Sequence, residues 1–196
     1  MQGKIKTITV YAASSSKIDR VYFQAAEELG KRLAFYGITC INGGGSKGLM
    51  AAVSDASIQC GGKICGIIPR FMIDEGWMHS SLTEVIVTQT MHERKQLMAE
   101  KSDACIALPG GIGTMEELLE IITWKQLGLY TKPIVILNIN HFYDDLLSLL
   151  EKAIKENFIH QKNSRLWSIS ATPEEALQII FECSEWENNP RSFAAL

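Results

Sequence analysis

Two glycine-rich stretches each follow an apolar run and open a segment of helical character. The first reads Asn42-Gly43-Gly44-Gly45-Ser46-Lys47-Gly48-Leu49-Met50. The second reads Leu108-Pro109-Gly110-Gly111-Ile112-Gly113-Thr114-Met115-Glu116-Glu117. Glycine lets a backbone approach a ligand closely, and the amides of a helix N-terminus favour an anion. In the second stretch Pro109 ends a strand, Thr114 stands at the expected N-cap, and a carboxylate pair follows one turn later. A carboxylate beside a phosphate site can contact ribose hydroxyls. By spacing, Thr114-x-x-Glu117 is also a capping box, so Glu117 has two readings at this level.

A third polar loop, Ala12-Ala13-Ser14-Ser15-Ser16, follows the first apolar run; its hydroxyls suit a phosphate or ribose as well as an ordinary turn. Met91-His92-Glu93-Arg94-Lys95 puts two cations in the first turns of a helix, where the dipole opposes them by a few tenths to ~1 kcal/mol. That placement points to an anionic partner or to a solvated face. Residues 43–48 satisfy the G-x-G-x-x-G spacing. They sit on the second strand–helix unit, however, and Gly66-Ile67-Ile68-Pro69-Arg70 supplies no carboxylate for a ribose hydroxyl. A phosphate or ribose contact fits this stretch better than a dinucleotide. The histidines at 79, 92, 141 and 160 are scattered, with no metal-ligand spacing. No G-x-S-x-G elbow or Walker loop occurs.

These loops need a frame. Ile5–Tyr11, Ile38–Ile41, Ile64–Ile68, Val85–Val87, Ala104–Leu108 and Ile134–Leu137 read as short, fully buried strands. Between them lie helices: one from Asp19 to Phe35 with Gly37 as C-terminal cap, one from Ser46 to Gly61-Gly62, and one from the Thr90-x-x-Glu93 box to about Lys101. Thr172-Pro173-Glu174-Glu175 starts another. The alternation predicts a single-domain α/β fold over residues 1–183, a doubly wound, mainly parallel Rossmann-like sheet with helices on both faces. Residues 184–196 read as a C-terminal tail. The chain has 196 residues, 46% hydrophobic and 21% charged, with a net charge of −3. That composition supports a packed core and disfavours non-specific nucleic-acid binding. No apolar run is long enough for a membrane span, and no signal-peptide pattern opens the chain. The odd set of five cysteines, several within apolar runs, reads as reduced thiols. The expectation is a soluble, cytoplasmic protein.

Three motifs in order, Gly43-Gly44-Gly45-x-x-Gly48-Leu49-Met50, Met91-His92-Glu93-Arg94-Lys95 and Pro109-Gly110-Gly111-x-Gly113-Thr114-x-x-Glu117, resemble the Lonely Guy (LOG) family. Its members are cytokinin-activating phosphoribohydrolases, often mislabelled lysine decarboxylases. The likeness runs over residues 5 to 160 and includes Ile122 through Gly128, Lys132-Pro133-Ile134 and Asn138 through Phe158. It departs at Ala12-Ala13-Ser14-Ser15, where the family has a Cys-Gly-Ser-Ser-like loop, and at Ala51, where it has glycine.

The resemblance implies hydrolysis of the N-glycosidic bond of adenosine 5′-monophosphates carrying an N6 substituent, with no cofactor and no metal. It implies Arg94 and Glu117 as catalytic residues. Substrate contacts fall on Ser14, Gly44, Gly45, Lys95, Gly110, Gly111, Ile112, Gly113, Thr114, Met115, Glu116 and Thr123. It further implies a homodimer with the site near the interface, partnered by neither nucleic acid nor membrane. The alternative on the same scaffold is a protein that binds a nucleotide or a molybdenum-cofactor-like group without cleaving it. The loop Phe71–Met78 is a candidate to shape the base pocket, although no motif of the pattern places it.

Overall fold

The computed structural model describes residues 5–183. Seven strands form one parallel sheet: β1 (Thr7–Tyr11), β2 (Thr39–Asn42), β3 (Ile64–Pro69), β4 (Glu84–Thr88), β5 (Ala104–Ala107), β6 (Ile134–Leu137) and β7 (Ser168–Ser170). Their spatial order is β4-β3-β2-β1-β5-β6-β7. β1 therefore pairs with β2 on one side and β5 on the other, with Thr9 opposite Ile41 and Cys105. The strand order turns at β1, and the loops after β1, β2 and β5 open around one crevice. Ligands of doubly wound sheets bind there.

The helices are α1 (Arg20–Phe35), α2 (Gly48–Gln59), α3 (Arg70–Asp74), α4 (Met91–Glu100), α5 (Ile112–Gln126), α6 (Asp144–Lys155) and α7 (Pro173–Glu182). α1, α2 and α7 cover one sheet face through Leu29, Leu33, Val53 and Leu177. α4, α5 and α6 cover the other through Met98, Leu118, Ile121 and Leu147. Burial on both faces explains the unbroken apolar runs of the central strands. α1 and α2 approach so closely at Gly30 that a Cβ there would stand 2.4 Å from the Val53 carbonyl oxygen.

Local rules set the helix ends. The Asp19 carboxylate accepts from Val21 N at 3.0 Å. Thr90 Oγ1 accepts from Glu93 N at 3.1 Å while Glu93 reaches back to Gln89 N at 2.7 Å. Thr172 and Glu175 repeat the arrangement at the start of α7. Each satisfies amides that a helix leaves without a partner.

Three expectations change. β4 is not fully buried: it is an edge strand, with Val85 38% and Val87 37% exposed, because only β3 flanks it. β7 joins the far edge without having announced itself in sequence. The second helix begins at Gly48 behind Lys47 rather than at Ser46. The tail at 184–196 lies outside the described residues. Among those described, no helix is long and apolar enough to cross a membrane.

Candidate active site

The site starts from the root of the loop after β5. Leu108 N donates to Tyr11 O at 2.9 Å, and the buried Tyr143 hydroxyl donates to Leu108 O at 2.7 Å. Gly110 then turns against Thr114, so closely that a Cβ would lie 2.1 Å from Thr114 Oγ1. Helix α5 starts behind Gly111, three residues before the N-cap that sequence assigned to Thr114. No side chain caps it. The amides of Ile112, Gly113 and Thr114 are thus first-turn donors without intrahelical acceptors, at the positive end of the dipole. Thr114 sits inside the helix, so the capping-box reading of Glu117 fails.

Glu117 instead faces Arg94 from α4. Arg94 Nη2 donates to Glu117 Oε1 at 3.1 Å, and both side chains are more than nine-tenths buried. The solvated-face reading of Arg94 and Lys95 fails with it, since they are 5% and 6% exposed. Burial pushes the Glu117 carboxyl above its ordinary range; Arg94 opposes this, while the nearby carboxylates Glu116 and Glu120 add to it. The Arg94 guanidinium lies across Gly43, where a Cβ would stand 2.1 Å from Nη2. Its Nη1 rests on Met91 Sδ at 3.5 Å, and its Nε has no partner among the described residues.

Lys95 pairs with Glu116 and, at 3.0 Å, with Glu120. Burial lowers its affinity for a proton, but the two carboxylate hydrogen bonds outweigh that, and its pKa ends above the ordinary value. Glu120 was absent from the sequence candidates. It stands on the helix face of Glu116 and Glu117, at the i,i+4 and i,i+3 spacing that would have flagged it.

The loop after β2 is closed upon itself. Gly44 N donates to Asn42 Oδ1 at 2.9 Å and Gly45 N to Met50 Sδ at 3.1 Å. Leu49 N and Met50 N both donate to Ala13 O, at 2.9 and 3.3 Å. The first-turn donors of α2 are therefore consumed by the loop after β1, and Gly48, at φ +65°, packs on Ala13 and Ser14. Gly44 and Gly45 offer a close, smooth wall beside Arg94 rather than free amides. Ser14 is exposed at the crevice rim. Thr123 is not brought to this site. It lies six residues beyond Glu117 on α5, about 9 Å along the axis, exposed and bonded to Leu119 O at 2.8 Å. Glu116 is exposed on the same helix, and Met115 is half-buried, packed in part against the core.

The chain is 41% identical over 181 residues to a cytokinin riboside 5′-monophosphate phosphoribohydrolase, LOG2, of Arabidopsis thaliana, covering 92% of this chain and 85% of that protein. A second from that plant, LOG1, is 44% identical over 159 residues, covering 81% and 75%. The chain belongs to the LOG family. The family described as possible lysine decarboxylase matches residues 50–180. A molybdenum cofactor binding protein from Rippkaea orientalis has the same fold, with a TM-score of 0.69 at 23% identity over 91% of this chain and 96% of that one. The Moco carrier protein of Chlamydomonas reinhardtii is similar in fold at 22% identity, TM-score 0.69, over 91% and 97%.

The decarboxylase description implies pyridoxal phosphate on a lysine, and the residues do not fit that group. Lys95 is held charged between two carboxylates, which denies it a nucleophilic amine. Lys125, whose pKa burial lowers to about 8, donates to Lys132 O at 2.8 Å in the last turn of α5, at the end of that helix away from the glycine-rich loop that opens it.

Proposed function

We propose that this protein hydrolyses the N-glycosidic bond of adenosine 5′-monophosphates carrying an N6 substituent, releasing the free base and ribose 5-phosphate. The observation that carries the reading is the buried Arg94–Glu117 pair one turn inside an uncapped helix N-terminus. The 5′-phosphate sits on the Ile112–Thr114 amides, where free donors and the dipole both favour it. That places the ribose over Glu117. As the bond from C1′ to the base nitrogen breaks, its electron pair leaves with the base and positive charge grows on the ribose. The ionised carboxylate stabilises that charge and takes the proton of the water whose oxygen bonds to C1′; the proton ends on the departing base. Arg94 holds Glu117 ionised and aimed despite its burial. The relatives named for this activity support the substrate class. The carrier reading has the fold in its favour but gives no use for a buried carboxylate beside the anion site. The test compares isopentenyladenosine 5′-monophosphate with its riboside: only the monophosphate is cleaved, and equal cleavage of both refutes the phosphate placement.

The functional unit in this reading is a homodimer. Ile112, Met115, Leu119, Thr123 and Leu127 recur along the outer face of α5, with Ile112 85% and Leu127 52% exposed. Two such stripes packed antiparallel about a two-fold axis bury this apolar face. The same packing carries Thr123 to the first turn of the partner's α5, which is how a residue too far from its own Glu117 reaches a substrate. The protein works in the cytoplasm, a compartment that suits the buried thiols of Cys40, Cys65 and Cys105.

A further inference from the structure

The nucleotide track has an end that neither the family motifs nor the catalytic pair accounts for. It begins at the Ile112–Thr114 amides and passes Glu117 and Arg94, joined at 3.1 Å. It continues over Gly43, on which the Arg94 guanidinium lies. Gly45 then pairs antiparallel with Met78. Ser46 N donates to Trp77 O at 2.9 Å and His79 N to Gly44 O at 2.8 Å. These bonds fasten the strap 75–79, which follows α3 at the carboxyl end of β3, across the glycine loop. The loops thus follow the sheet order β5, β1, β2, β3, and the strap stands at the end opposite the phosphate.

The strap is also anchored from outside. His79 Nδ1 accepts from Ser81 N at 3.1 Å, which leaves Nε2 to donate to Asp55 at 3.0 Å. On this strap and on α3 before it two large apolar rings stay in water: Trp77 is 48% and Phe71 50% exposed. They meet edge to face, with centroids 6.5 Å apart and planes at 77°. Such rings bury most of their surface when a partner is present.

We propose that Phe71 and Trp77 form the subsite for the apolar N6 substituent of the nucleotide and set the preference for substituted over plain adenosine monophosphate. The inference rests on the phosphoribohydrolase reading for the direction in which the nucleotide lies. With the phosphate on α5 and the ribose over Glu117, the base points along Gly43–Gly45 and its exocyclic nitrogen toward the strap. A branched hydrocarbon there covers both rings, whereas an unsubstituted amino group leaves them wet. An enclosed hydrophobic pocket discriminates by ~10-fold or more for one carbon, so a ratio of ~10-fold is expected when a hydrocarbon of several carbons covers two half-exposed rings.

The experiment measures kcat/KM for isopentenyladenosine 5′-monophosphate and for AMP with wild type, Phe71→Ala and Trp77→Ala. In parallel, titration calorimetry measures both nucleotides on Glu117→Gln and on Glu117→Gln combined with Trp77→Ala. The expected result is a fall of ~10-fold in kcat/KM and in affinity for the substituted nucleotide, with AMP changed by less than about threefold. A parallel fall for both nucleotides shows that the strap merely supports the glycine loop and overturns the proposal, as does no change for either. Binding of both without cleavage by wild type defeats the hydrolase reading, and the calorimetric ratio still decides the subsite. Failure to bind either nucleotide defeats both.

Discussion

Replacing Gly43 by alanine tests the catalytic pair without touching either member. The added Cβ would lie 2.1 Å from Arg94 Nη2, 2.9 Å from Cζ and 3.3 Å from Met50 Sδ. Ordinary contact begins at 3.4 Å, so the guanidinium must retreat by about 1.3 Å. It cannot slide freely, because Met91 and the α4 backbone flank it. A retreat of that size stretches the 3.1 Å bond to Glu117 beyond hydrogen-bond reach. Glu117 is then a buried carboxylate without its partner, and its pKa climbs further. A misplacement of ~1 Å in a catalytic constellation costs on the order of 10²-fold in rate. Steady-state cleavage of the nucleotide by Gly43→Ala should therefore lose about 10²-fold in kcat/KM, with the far-ultraviolet dichroism of the wild type retained. The pH at which the acid limb of the residual activity is half complete should also rise. Activity within about threefold of wild type, on an unshifted limb, would refute the claim that Arg94 works from its seat on Gly43.

Further outcomes follow from the same structure. Glu117→Gln should keep the hydrogen bond from Arg94, fold with a melting temperature near wild type, and lose 10²–10⁴-fold, as order-of-magnitude bounds, in kcat; thermal melts and single-turnover rates check both halves. Because burial raises the Glu117 pKa and the ionised form is the active one, activity falls as pH drops through a value above the usual 4.5. Arg94→Gln removes the opposing charge, so the limb of its residual kcat/KM moves to higher pH. Leu119→Glu should place a charge in the middle of the α5 stripe and yield a particle of monomer mass by light scattering, with cleavage reduced alongside; an intact active dimer would contradict the α5 interface. Burial holds the Cys65 and Cys105 thiols at about 11 and 12. Their folded values exceed the unfolded ~8.5, so the stability they contribute is whole below that pH and is lost as pH rises through the folded values. The alkaline fall of the urea midpoint should flatten in Cys105→Ala.

The central sheet was legible because strands covered on both faces must be apolar throughout, as in β5, Ala104–Ala107, and β6, Ile134–Leu137. The same rule misjudged β4, whose valines sit on an edge that only long-range topology reveals. It also passed over β7, whose Ser-Ile-Ser holds a single apolar residue. Capping chemistry located α1, α4 and α7 to the residue, yet it misplaced the start of α5. Serine or threonine marks a helix whose amides are satisfied internally, and α5 leaves its amides open. The roles of Arg94 and Glu117, and that Arg94 would hold Glu117 ionised, could be suspected from the resemblance, but their burial could not. Charged side chains rarely go inside without a partner, and that partner lies 23 residues away in sequence. Tyr143 and the strap 75–79 act through contacts between loops of distant strands, for which a single sequence carries no periodic signal. Thr123 was named by resemblance alone, and helix geometry sets it on the outer face of α5, away from the Glu117 of its own chain.

The most direct test of the central claim is product identification after incubation of the purified protein with isopentenyladenosine 5′-monophosphate in ¹⁸O-labelled water, read by liquid chromatography with mass detection. The account predicts equal amounts of free isopentenyladenine and ribose 5-phosphate, with the label in the sugar phosphate and neither product from Glu117→Gln. Intact nucleotide bound to a folded wild-type protein, or cleavage that survives in Glu117→Gln, would contradict it.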